Sequence, residues 1–127
     1  MIEAAEQKAA EMGHPFVIAI VDDSGVLKAF SRMDGAPLLS VQVAQDKAYS
    51  AVGFGMATDA WHDFVKDDPP LAMGAAPGID RLIVFGGGYP IKVALTGITH
   101  GISHAMEAMP RQRKHAQLAL HNQPASK

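Results

Sequence analysis

The chain contains no cysteine, which excludes disulfide bridges, thiolate metal centres and cysteine nucleophiles together. Aromatic residues are scarce, at 6% with a single tryptophan, Trp61. No apolar run reaches the ~20 residues that a bilayer-spanning helix needs, so no membrane is expected as a partner. An excess of one charge is also missing: 11 Lys and Arg against 13 Asp and Glu leave a formal net charge of −2. No run of Lys and Arg precedes Arg111. Without a basic face there is nothing to neutralise phosphates, so nucleic acid is not an expected partner either. No secretory leader pattern is visible, and cytoplasmic is the default expectation. Export stays open, because the helical pattern starts at Ile2 with no capping residue ahead of it.

What is present is enough apolar material for one core, 48% of 127 residues. One domain over residues 1–121 is expected, with a polar tail over 122–127 left disordered. Ile2, Ala5, Ala9 and Met12 recur at helical spacing over residues 2–12. Gly13 is placed to end that helix and Pro15 stops its continuation. Residues 16–21, Phe-Val-Ile-Ala-Ile-Val, are apolar throughout, which suits a central strand covered on both faces. Asp22-Asp23-Ser24-Gly25 signals a tight turn into a second strand over 26–33, making a hairpin. Asp34-Gly35-Ala36-Pro37 then breaks the strand.

The longest helix is expected over 38–56, with small residues (Ala44, Ala48, Ala51, Gly55) along one face for close packing. A short helix follows through Val65, capped by Thr58 or Asp59. Residues 67–80 read as loop, 81–85 as a third strand and 91–95 as a fourth. Residues 102–121 read as helical up to Met109 and again after Pro110. The order is α-β-β-α-α-β-β(-β)-α. A hairpin followed by helices and further strands implies an α+β fold with a mostly antiparallel sheet, because strict strand–helix alternation is absent.

Several ordered stretches stand out: Asp22-x-x-Gly25, Ser31-Arg32-Met33-Asp34-Gly35-Ala36, Ser40-x-x-x-Ala44-x-x-Lys47-Ala48, and Gly86-Gly87-Gly88-Tyr89-Pro90-Ile91. Together these resemble the GlcG/HbpS family, which also supplies the C-terminal domain of PduO-type corrinoid adenosyltransferases. The resemblance runs from residue 2 to about residue 93. It implies a profilin-like α/β arrangement, an antiparallel sheet flanked by helices, with homo-oligomeric assembly. In several members it implies binding of haem or a related tetrapyrrole. Beyond it the family's Gly/Ile/Val/Ser-rich strand and acidic helix give way to a basic segment with Arg111, Arg113 and Lys114. Divergence and a shifted reading frame are both compatible with that change.

The candidate ligand-binding residues are Arg32, Asp34, Ser40, Lys47, Gly86, Gly87, Gly88, Tyr89 and Pro90. Arg32 and Lys47 suit a carboxylate or a haem propionate, Arg through its two-pronged donor geometry. The structural alternative is an Arg32–Asp34 or Lys47–Asp34 pair holding the strand-to-helix corner. The triple glycine either lets a ligand approach or makes a tight or bulged turn. It lacks the Gly-Lys-Ser/Thr of a phosphate loop, and a strand rather than a helix follows it. Among six histidines, His62 is the candidate iron ligand, since it lies beside Trp61 and Phe64; His14 is the weaker one. His100 and His104 would share one face if they were helical, giving a two-point metal grip, though Gly101 weakens a helix there. Asp22-Asp23 and Asp67-Asp68 are adjacent pairs that cannot face each other across a cleft, so no acid–base dyad is assigned.

Three functions follow. The first is a small-ligand carrier or sensor, with haem as the implied cofactor. The second is an enzyme or enzyme accessory acting on a small organic acid, with Lys47 or Asp34 as base and no catalytic constellation assignable. The third is an assembly module without a ligand. The binding reading expects the hairpin exit, the start of the long helix and the triple glycine to line one hollow. Small-residue faces on so short a chain also point to self-association.

Overall fold

A computed structural model describes residues 1–92 and 99–105, with Lys92 and 99–105 as backbone alone. Its elements are α1 (Ile2–Glu11), β1 (Val17–Val21), β2 (Leu27–Arg32), α2 (Leu39–Phe54), a 3-10 turn (Thr58–Ala60), α3 (Trp61–Val65), α4 (Pro69–Gly78), β3 (Gly88–Lys92) and β4 (Thr99–Ala105). The strands form one antiparallel sheet in the order β2-β1-β4-β3. This is the α+β architecture that the strand and helix patterns require.

β1 lies inside the sheet and is covered on both faces, as an all-apolar strand must be. Phe16 and Ile18 pack with Ala9 of α1, joined by Ile2, Ala5, Met12 and Met33. Val17 and Ala19 point the other way and pack with Ala36 and Ala44, joined by Val41 and Val43. The period of two along β1 therefore separates an α1 layer from an α2 layer. On the α1 side, the Ser31 hydroxyl and the Glu6 carboxylate of α1 are hydrogen-bonded.

α2 lies very close to the sheet. Ala44, Ala48 and Ala51 are fully buried along its inner face. A Cβ added at Gly88 would stand 2.5 Å from the Lys47 carbonyl oxygen and 2.8 Å from Thr58 Cγ2. Only glycine admits this approach of strand to helix. α2 ends at Gly55, whose backbone is left-handed (φ 62°) and whose N–H bonds Ala51 O.

The hairpin turn forms at the expected residues. Gly25 N–H donates to Asp22 O at 3.0 Å, and Asp22 N–H donates to Val26 O at 2.9 Å. Asp22 Oδ1 accepts the N–H groups of Ser24 (2.9 Å) and Val26 (3.0 Å). The Val26 amide and its partners, with Lys28 nearby, hold the Asp22 carboxyl below its ordinary value of 3.8.

Four expectations need correction. Residues 69–78 are not loop but α4. Two prolines sit at its first positions, where no intrahelical donor is lost, and Asp68 caps it by accepting the Leu71 N–H at 3.1 Å. Residues 81–85 form no strand; pairing starts at Gly88. Thr58 caps nothing, because its hydroxyl is engaged with Gly88. Residues 102–105 belong to β4 rather than to a helix, since they pair with β1. Residues 93–98 and 106–127, including the end of the expected fourth strand and the tail, lie outside the described residues.

Two outcomes follow. Gly88→Ala is expected to lower stability by about 1–3 kcal/mol, since backbone faces the new methyl; thermal or urea unfolding measures this. Asp22→Asn is expected to be less stable than the parent at neutral pH. A depressed carboxyl stabilises the fold above its unfolded value, so the difference should shrink as pH falls through 3.8 and below, read from melts at stepped pH.

Candidate functional site

The sequence-derived site residues separate into two groups. The first occupies the corner where α1 ends, β2 exits and α2 begins. Arg32, the last residue of β2, donates from Nε and Nη2 to the Ala36 carbonyl at 3.2 and 2.8 Å. Ala36 N–H in turn donates to Met33 O at 3.1 Å. The guanidinium thus closes the 33–36 turn. The ion pairs among the described residues are Lys8–Glu11, Lys28–Asp22, Lys66–Asp63 and Arg81–Asp46. The Arg32–Asp34 or Lys47–Asp34 pair does not form; a backbone carbonyl takes that structural role.

His14 belongs to the same corner. Met33 N–H donates to Phe16 O at 2.9 Å, and Pro15 Cγ lies 3.7 Å from where a Gly35 Cβ would stand. The 14–16 segment therefore runs alongside residues 33–35. His14, Arg32 and Asp34 are all exposed. Around them apolar side chains face solvent: Leu38 and Leu39 are 73% and 81% exposed, and Phe30 is 39% exposed. Ser40, half-buried in the first turn of α2, completes the group.

The second group lies beneath the start of β3. Lys47 is 2% exposed, with its ammonium 4.7 Å from the centre of the Phe85 ring. That is a cation–π contact in a poorly solvated place. Gly86, Gly87, Gly88 and Tyr89 are buried and Pro90 half-buried. Gly88 N–H donates to Thr58 Oγ1 at 2.9 Å. The room left by the Gly88 side chain is filled by the Lys47 carbonyl and Thr58. Pro90 sits on an edge strand among the described residues, where a missing N–H costs least.

These groups stand apart in the fold. β2 and β3 are opposite edges of the described sheet, about 14 Å apart at ~4.8 Å per strand. Ser40 and Lys47 stand two turns apart along α2, about 10 Å. Lys47 meets the glycines, whereas Arg32, Asp34 and Ser40 stand with His14.

His62 lies exposed on α3 between Trp61 and Phe64. Phe54, Trp61 and Phe64 form edge-to-face contacts with centroids 4.7 and 5.5 Å apart. Trp61 is directed inward, packed with Ala75 and Leu82, while Phe64 near His62 is exposed. His100 and His104 fall on β4. Four residues along a strand span about 13 Å, so the helical two-point grip is lost. Among the described residues no group of three or more metal-ligating side chains is found, and no helix is long and apolar enough to cross a membrane.

Sequence reasoning ranked His14 below His62, because the aromatic neighbours of His62 were visible in order and the folding of 14–16 against 33–35 was not. It also missed Asp46, Tyr49, Ser50 and Arg81, which join α2 to the segment before β3 through contacts more than 30 residues apart. Only the packing shows those contacts.

A family model described as haem degrading protein HbpS-like matches residues 1–102. The chain belongs to the HbpS-like family. Over 91 residues, 72% of the chain, it is 33% identical to an uncharacterised 15.0 kDa protein of Citrobacter freundii, spanning 64% of that relative. Over the same length it is 32% identical to the corrinoid adenosyltransferase PduO of Salmonella typhimurium, of which it spans only 27%. It therefore covers less than two thirds of either relative. The fold superposes with a TM-score of 0.80 on the PduOC:haem complex, at 27% identity over 94% of this chain and 86% of that one. On HbpS the TM-score is 0.77 at 25% identity, covering 94% of this chain and 81% of the other.

Arg32→Ala is expected to cost about 1 kcal/mol in unfolding free energy, as both hydrogen bonds to Ala36 O vanish. Asp34→Ala, which breaks no described ion pair, should stay within about 0.5 kcal/mol. Equal losses would show that the corner is held some other way.

Proposed function

We propose that this protein binds haem or a closely related tetrapyrrole at the corner formed by His14, Arg32, Ser40 and the exposed side chains of Phe30, Leu38 and Leu39. The observation that carries this reading is the likeness to the PduOC:haem complex across nearly the whole of both chains.

The corner has the chemistry such a ligand requires. A porphyrin presents broad apolar faces, carboxylate edges and a metal that takes a neutral imidazole. Leu38, Leu39 and Phe30 offer apolar surface already out of the core. Arg32 uses two of its N–H groups on Ala36 O, which fixes the guanidinium plane while leaving further donors of its five for a propionate. His14 offers an exposed imidazole within that cluster. The Ser40 hydroxyl supplies a further polar contact, and Asp34 keeps the rim hydrated. Bound iron would supply redox and axial-ligand chemistry; the chain's part is to hold the ring, fix its carboxylates and set one axial position.

Self-association belongs to the same proposal. An exposed corner covers one face of a flat ring, and a second copy would cover the other. His62, on α3 beyond the C-terminal end of α2, takes no part. A general-base role for Lys47 is disfavoured, since its ammonium sits beneath Phe85 at 2% exposure.

Haemin titration followed by the Soret band and by quenching of Trp61, the single tryptophan, tests this. Saturable binding with one haem site per chain, or one per pair of chains, is expected. His14→Ala should change the Soret position, His62→Ala should not, and Arg32→Ala should weaken binding about 5–30-fold, or ~1–2 kcal/mol. Absence of saturable binding, or a spectrum that moves only in His62→Ala, would overturn the assignment.

A further inference from the structure

The surface of the α3–α4 unit is apolar to an unusual degree. A surface helix ordinarily turns polar residues to solvent, but α4, Pro-Pro-Leu-Ala-Met-Gly-Ala-Ala-Pro-Gly, has no polar side chain at all. Ala75 is buried and Leu71 half-buried against Trp61, and the other positions of α4 are exposed, Met73 at 78%. Phe54 and Phe64, in edge-to-face contact with the Trp61 ring, are 49% and 55% exposed. Apolar surface rimmed by polar groups marks a place where something docks. Here the rim is almost all of one sign. Asp59, Asp63, Asp67, Asp68 and Asp80 are exposed, and Lys66 is the only Lys or Arg over residues 57–80.

What fits such a surface is a segment with apolar side chains and the opposite charge, and this chain carries one. We propose that residues 106–121 dock across α3 and α4. Over that stretch Met106, Met109, Leu118 and Leu120 accompany Arg111, Arg113 and Lys114, with Glu107 as the single acid. The chain also leaves the sheet at the right place. Ser103 of β4 stands opposite Gly88, and the Gly88 N–H is bonded to Thr58, which starts the turn into α3. Ala105, two residues further on, ends β4. Residues 106–110 can span up to ~17 Å, comparable with the length of α4 at ~1.5 Å per residue, so the basic cluster is within reach of the aspartates. Charge complementarity selects the partner and its register more than it adds affinity, and the covered apolar surface supplies the rest. This surface follows the C-terminal end of α2, whereas the proposed haem corner lies at its start, so neither reading depends on the other.

Zero-length cross-linking of the full chain with a water-soluble carbodiimide tests this. Chains grown with light and with heavy nitrogen are unfolded and refolded together, cross-linked, and read by mass spectrometry. Amide links from Lys114 to Asp63, Asp67 or Asp68, with both ends carrying the same label, are expected. Links from Lys114 to Glu3, Glu6 or Glu11 of α1 instead would overturn the docking. So would links that mix the two labels, which would give the surface to a second copy. A second measurement uses charge reversal. Arg111→Glu, Arg113→Glu and Lys114→Glu together should raise the rate at which dilute hydrogen peroxide oxidises Met73, relative to exposed Met1, by about threefold or more. Adding Asp59→Lys and Asp67→Lys to the same chain should bring that rate back towards the parent, with β1 amide protection unchanged throughout. An unchanged Met73 rate in the triple variant would overturn the docking.

Discussion

The contact on which the rest of this structure depends is backbone against backbone, at the point where Gly88 of β3 meets the Lys47 carbonyl of α2. A methyl group added there would stand 2.5 Å from that oxygen. Such an approach needs a helix face of small residues, which Ala44, Ala48 and Ala51 provide with no exposed surface. Close packing of this kind leaves no slack, and one methylene would be felt. α2 is consequently fixed to the sheet along its middle, and the groups at its two ends are placed by it.

That constraint distributes the chemistry. The middle of α2 is committed to packing, and the Lys47 charge is taken inside beneath the Phe85 ring. Polar groups that can meet a ligand are left where α2 begins, with Arg32 held flat against Ala36 O and His14 brought alongside by the Met33–Phe16 hydrogen bond. Near its C-terminal half, Asp46, Tyr49 and Ser50 grip the segment before β3. The corner leaves polar groups at the surface, and the grip ties residues 81–83 to α2.

Much of this was legible in order along the chain. The hairpin was legible because Asp22 and Gly25 are turn residues with a local mechanism, and β1 because six successive apolar residues suit only a doubly covered strand. α2 was legible from its small-residue face, and the family from short ordered motifs. α4 was not, because Pro69, Pro70, Gly74 and Pro77 resemble loop composition, and the Asp68 cap that redeems two prolines at a helix start was overlooked. β4 was not, because Thr99 to Ala105 carries Gly101 and two histidines without a clear alternation; pairing with β1 and β3 decides it. The candidate site residues fall into two separate groups in space, which their order along the chain does not show. Their separation depends on the strand order β2-β1-β4-β3, and nothing local in a sequence encodes which strands become edges.

The most direct measurement is a crystal structure of the protein grown with haem. The expected result is the ring lying at the α2 entrance, its iron on the His14 imidazole and a propionate on the Arg32 guanidinium, with Gly88 still seated on the Lys47 carbonyl. A ring on His62, or one inserted between α2 and β3 with Gly88 displaced, would contradict the view that the interior contact is solid and that recognition happens at the corner.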